Sequence, residues 1–106
     1  MREQQIQKKM IDRLRKMGAY VVKVVASRAG VPDLLICYNG RFVAIEVKTD
    51  KGKLSKLQRY NINKIFDAGG IAYDMRYVFG HEGLTDPGQA IDRIVNNIKY
   101  RCGEKQ

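Results

Sequence analysis

Proline, cysteine and histidine are scarce in this chain: two prolines, two cysteines and one histidine in 106 residues. Cys37 and Cys102 stand far apart with no CxxC pattern, which argues against a zinc site or a disulfide framework. The N-terminus MREQQIQKK lacks the apolar segment of a secretion signal, and no stretch approaches the length of a membrane-spanning helix. Two thiols without such a signal fit a reducing, cytoplasmic setting. Gly52-Lys53 lacks the preceding glycine of a phosphate-binding loop, so nucleotide hydrolysis is not supported. His81 is alone in a loop and is assigned no role. There is no internal repeat, no low-complexity segment and no linker.

Acids are also in short supply. Lys and Arg number 20 against 11 Asp and Glu, a net charge of +9. Such a balance favours a polyanionic partner, most often nucleic acid, because each neutralised phosphate releases counterions. The alternative is a basic surface kept for solubility. With 44% hydrophobic and 29% charged residues the chain reads as folded, and its length suits one domain spanning 1–106.

Periodicity sets out the elements. Residues 3–17 form an amphipathic helix with Ile6, Met10, Leu14 and Met17 on one stripe, stopped at Gly18. Glu3 lies on the same stripe. YVVKVV (20–25) reads as a strand, and ASRAG (26–30) as a loop. DLLICY and RFVAIEVK are two strands joined by Asn39-Gly40, the strongest short signal for a type I′ hairpin. TDKGK (49–53) is a polar loop. A second helix runs from Ser55 to Ala68, stopped by Gly69-Gly70. IAYDMRYVF (71–79) alternates as a strand with Ile71, Tyr73, Met75, Tyr77 and Phe79 on one face. Asp86-Pro87 opens a last helix carrying Ile91, Ile94, Val95 and Ile98. The expected order is α-β-β-β-α-β-α.

The hairpin brings two acids together. If Tyr38 faces Arg41, then Ile36 faces Val43, Leu34 faces Ile45, and Asp33 faces Glu46, provided no bulge intervenes. Opposed residues share a face, and Lys48, two residues on, projects to the same side. Like charges opposed in a sheet are destabilising unless neutralised. A divalent cation would remove the repulsion; Mg²⁺ suits two carboxylates, several waters and a substrate phosphate. The ion would acidify a bound water and hold a phosphate oxygen, as phosphodiester hydrolysis requires. Lys48 would position that water or stabilise charge on the phosphorane. The plainer alternative is a Glu-Lys ion pair, with Asp33 capping a strand end.

Other polar residues have two readings each. Gln58 shares the sheet-packing face of its helix with Ile62, Ile65 and Phe66, yet Ser55-Lys56-Leu57-Gln58 also fits a capping box. Glu3 approaches the metal or its waters, or simply complements the helix dipole. Lys51 and Lys53, with Arg28 and Lys23, are candidate DNA-phosphate contacts or plain solvated charges.

At this point the residues resemble a known family. Pro32-Asp33 followed by Glu46-Val47-Lys48 is similar to the signature of the PD-(D/E)XK nucleases, whose α/β core resembles restriction endonucleases. That core is a mixed sheet of about four strands flanked by helices in the order α-β-β-β-α-β-α. More narrowly, GVPDLL, IEVK and LSKLQ resemble the virus-type replication-repair nuclease (VRR-NUC) domain, from Glu3 to about Val78. The resemblance implies Asp33, Glu46 and the Val47 carbonyl as ligands of Mg²⁺ or Mn²⁺. It implies Lys48 as the water-positioning residue, Gln58 as the residue orienting it, and Glu3 as an acid linked to the metal through water. The chain resembles the stand-alone members of phages and bacteria, which implies a homodimeric resolvase of four-way (Holliday) DNA junctions acting in DNA repair. Its interface is expected on the last helix or on strand 71–79. Two alternatives remain: a non-catalytic nucleic-acid-binding module on the same fold, and a nuclease acting on flaps, single strands or duplex.

Overall fold

A computed structural model describes residues 1–25 and 29–103. Eight elements follow one another: α1 (Glu3–Lys16), β1 (Tyr20–Lys23), β2 (Leu34–Tyr38), β3 (Arg41–Glu46), α2 (Lys56–Asp67), β4 (Ile71–Asp74), α3 (Met75–Glu82) and α4 (Pro87–Cys102). The strands form one mixed sheet in the order β1-β2-β3-β4. The first two pairings are antiparallel and β3-β4 is parallel, with α2 supplying the crossover that a parallel pair demands.

Local chemistry explains most of these boundaries. Asn39 and Gly40 both take positive φ, 50° and 78°, as a type I′ turn requires, and the strands leave it with Tyr38 opposite Arg41 and Leu34 opposite Ile45. Ser55 caps α2 in a reciprocal box with Gln58, and Asp86 caps α4 at the Gly88 amide with Pro87 in its first turn.

The core lies on one face of the sheet. Leu34, Ile36, Val43 and Ile45 there meet Ile6, Met10 and Leu14 of α1, Met75 and Phe79 of α3, and Ile91, Ile94 and Ile98 of α4. The other face is covered only in part. Ile62 of α2, with Leu35, Leu54 and Ile65, packs over Ala44 and Ala72, small residues of β3 and β4 that let the helix approach. Fully burying each large apolar side chain is worth about 1.5–3 kcal/mol, so the first face carries most of the hydrophobic stabilisation.

Two expectations are corrected. The stretch 71–79 is not one strand: β4 ends at Asp74, whose carboxylate accepts from the Arg76 and Tyr77 amides at 2.9 and 3.3 Å and starts α3. Met75 and Phe79 are buried one helical turn apart while Tyr77 faces solvent, so the apolar spacing serves a helix once a cap is present. The first strand closes at Lys23, although one more bond, Val24 N–H to the Asp33 carbonyl at 2.8 Å, carries the pairing to Asp33.

Candidate active site

Asp33 precedes β2 and Glu46 ends β3, on the sheet face that carries α2. The observed register therefore brings the two acids side by side, as the hairpin arithmetic required. Glu46 is only 2% exposed, and its Oε1 has no hydrogen-bond partner among the described residues. An unpartnered carboxylate oxygen in such a place is costly and calls for a cation or a donor. Burial is the main cause that drives the Glu46 carboxyl up to about 9; its hydrogen bond with the Asp33 carboxyl and the Asp33 charge add to this. Lys48 partly offsets the rise and Glu3 reinforces it, so the other three residues all act on Glu46.

Asp33 has a second task. Its Oδ2 accepts from the Val47 amide at 2.8 Å, replacing a ladder bond where β3 ends. The Asp33 carboxyl thus holds the Glu46-Val47-Lys48 segment at the Val47 amide and also hydrogen-bonds the Glu46 carboxyl. The loop after β3 folds back on Lys48: Gly52 donates to the Thr49 carbonyl at 3.2 Å, and a Cβ on Gly52 would lie 3.2 Å from the lysine Cδ. Lys51 and Lys53, both exposed, ride on that loop.

The remaining sequence candidates fall out as follows. Glu3 opens α1 half-buried, and among the described residues no three His, Cys, Asp or Glu side chains gather as a ligand cluster. Gln58 Oε1 accepts from the Ser55 amide at 2.8 Å, so the capping box is formed. Lys23 is exposed, but its register partners Leu34 and Ile45 belong to the core face, opposite the acids. Arg28 lies outside the described residues.

Sequence reasoning passed over Gln7, which is buried with its Oε1 unpartnered. Its position one helical turn after Glu3, on the stripe of Ile6 and Met10, was the available signal. It also missed the Asp33–Val47 bond, for which no pattern exists. A concavity of about 670 Å³ lies elsewhere: Phe66, Tyr73, Asp74, Tyr77, Arg93 and Tyr100 are among its walls, and the paired acids are not.

The donor set suits a hard divalent cation: two carboxylates and, at Val47, a backbone carbonyl between them and Lys48. Such an ion would acidify a bound water and neutralise phosphate charge. The protein's own contribution would be to hold the acids in register, exclude water from Glu46 and bring the Lys48 ammonium to the reacting phosphate.

No curated protein matches the chain. The family model for archaeal Holliday junction resolvases (Hjc) matches residues 2–73, from α1 through β4 and including every acid and lysine of the site. The chain belongs to that family of PD-(D/E)XK-type nucleases.

Proposed function

We propose that this family member is a divalent-metal-dependent DNA endonuclease, selective for four-way junctions and active as a homodimer. The observation that carries the reading is the Asp33–Glu46 pair, with the buried, unpartnered Oε1 of Glu46 beside Lys48. Asp33, Glu46 and the Val47 carbonyl would hold Mg²⁺ or Mn²⁺, with Glu3 reaching it through water. Lys48 would position the attacking water and Gln58, through its free amide end, would orient the lysine. Lys51 and Lys53 would hold flanking phosphates. Two copies related by a two-fold axis would present two sites for paired cuts in a junction. The narrower likeness to the VRR-NUC domain belongs to this proposal, resting on GVPDLL, IEVK and LSKLQ.

The test is cleavage of labelled four-way junction, flap, duplex and single strand, each with Mg²⁺, Mn²⁺ or chelator. Asp33→Asn is the control of choice, since the amide oxygen can still accept from Val47 while the ligand charge is lost. Metal-dependent paired nicks in the junction, absent in the variant although DNA still binds, are expected. Undiminished cleavage by Asp33→Asn refutes the site. Binding without cleavage under either metal favours the non-catalytic module.

A further inference from the structure

The face of the sheet that carries the acids is not fully covered. α2 lies over β3 and β4 and reaches Leu35 of β2, and beyond it Tyr20, Val22 and Cys37 are exposed. In register, Tyr20 pairs with Cys37 and Cys37 with Phe42, so the three side chains stand in one row across three strands. Tyr20 is 71% exposed and Phe42 46%, and Cys37 is exposed between them. The next row on this face is Val22, Leu35 and Ala44, and the one after it holds Asp33 and Glu46. Four residues of β3 separate Phe42 from Glu46, about 13 Å at 3.3 Å per residue. That is about four stacked base steps at 3.4 Å each.

Phe42 also borders a shallow depression of about 340 Å³ shared with Asn61, Lys64, Ile65 and the Gly69-Gly70 turn. Gly70 is part of its design, because a Cβ there would lie 3.1 Å from the Phe42 ring and 2.8 Å from Ile65. Asn61 spends its amide nitrogen on the Leu57 carbonyl at 2.9 Å, so its oxygen is the group left to accept. The surface thus combines aromatic faces, an amide acceptor and a lysine, and it runs on into the paired acids.

We propose that Tyr20 and Phe42 form a stacking platform for bases left unpaired or unstacked where DNA branches, with Lys64 holding an adjacent phosphate. The inference rests on the DNA-nuclease reading and supplies its missing selectivity. Every base has a π-face, so a platform of this kind reads an opened structure and not a sequence. An intact duplex hides its base faces and gains nothing from it. The +9 charge of the chain complements the same occupant. A second copy of this chain fits less well, because a stable interface needs about 800 Å² per partner and this open row offers two large side chains, Tyr20 and Phe42, with Cys37 between them. A copy seated here would also cover the way to the acids.

The chain contains no tryptophan, so Phe42→Trp installs a single fluorescent reporter. Four-way junction, in chelator so that nothing is cut, should quench its emission, while duplex of equal length should not. Tyr20→Ala, at a largely exposed position, should weaken junction binding about 5- to 150-fold, the span of one stacked base. Its duplex binding should stay within about twofold, and Tyr20→Phe should restore the junction affinity. Equal weakening on junction and duplex, or no weakening, overturns the platform. So does conversion of a dimeric parent to monomer by Tyr20→Ala in sedimentation, which would give the face to a second copy. A parent protein that binds no DNA brings down the nuclease reading itself; a parent that selects junctions while the variants match it brings down the platform alone.

Discussion

Replacing Glu46 by glutamine tests the central argument without any substrate. The carboxyl rises from 4.5 to about 9 chiefly through burial, so in metal-free protein it keeps its proton over that interval while the unfolded chain releases it. The unfolded state then binds fewer protons than the native state, and the stability slope is negative, about −1.4 kcal/mol per pH unit. Stability contributed by the protonated acid is fully present below pH 4.5 and is lost as pH rises toward about 9. The full interval corresponds to an upper bound of about 6 kcal/mol, comparable with the total stability of a domain this size. Even a third of it, about 2 kcal/mol, would lower Tm by about 8–16 °C. Glu46→Gln keeps the volume and the neutral form, so its melting temperature in chelator should decline much less between pH 5 and 9 and should exceed the parent's at the alkaline end. Mg²⁺ needs the ionised acid, so the parent alone should regain stability when it is added, increasingly so at high pH. Circular dichroism melts of both proteins across this range, with chelator and with Mg²⁺, supply the comparison. Parallel curves in chelator would refute the claim that Glu46 is buried as a neutral acid. Equal Mg²⁺ stabilisation of both proteins would remove it from the metal site.

Four further substitutions separate roles that coincide in the structure. Ser55→Ala and Gln58→Ala each break the α2 capping box and should each cost about 1 kcal/mol in urea unfolding, yet only Gln58→Ala should also slow cleavage; equal cleavage rates would leave Gln58 a cap alone. Asp74→Ala removes both N-cap hydrogen bonds of α3 and the 3.5 Å contact with Arg59, and should cost about 0.5–2 kcal/mol by the same measurement, with α3 amides losing hydrogen-exchange protection before those of α4. Gly30→Ala meets φ of +83° and places a Cβ 2.5 Å from the Leu57 side chain, so it should destabilise by more than about 1 kcal/mol; an unchanged urea midpoint would show that the loop does not pack on α2.

Much of the site is legible in the amino-acid sequence. Asn39-Gly40 has one low-energy use between alternating strands, and that turn determines the register that pairs Leu34 with Ile45 and leads to Asp33 beside Glu46. Ser55 and Gln58 form the box their spacing suggests. The stretch 71–79 misled because Ile71, Tyr73, Met75 and Phe79 satisfy a strand and a helix alike over so short a span. The tie was broken by Asp74, whose carboxylate turned inward on two amides at the end of the sheet.

The sequence by itself determined every element but α3, the hairpin register, the caps of α2 and α4 and the identity of the paired acids, because each depends on contacts a few residues apart or on one tight turn. Tertiary structure alone decided how deeply Glu46 is buried, and that Asp33 spends one oxygen on the Val47 amide. It also decided that α2 covers half of one sheet face and leaves Tyr20, Cys37 and Phe42 open beside the acids. Burial and coverage depend on where distant helices come to rest, and no local pattern encodes which face of a sheet a helix leaves bare.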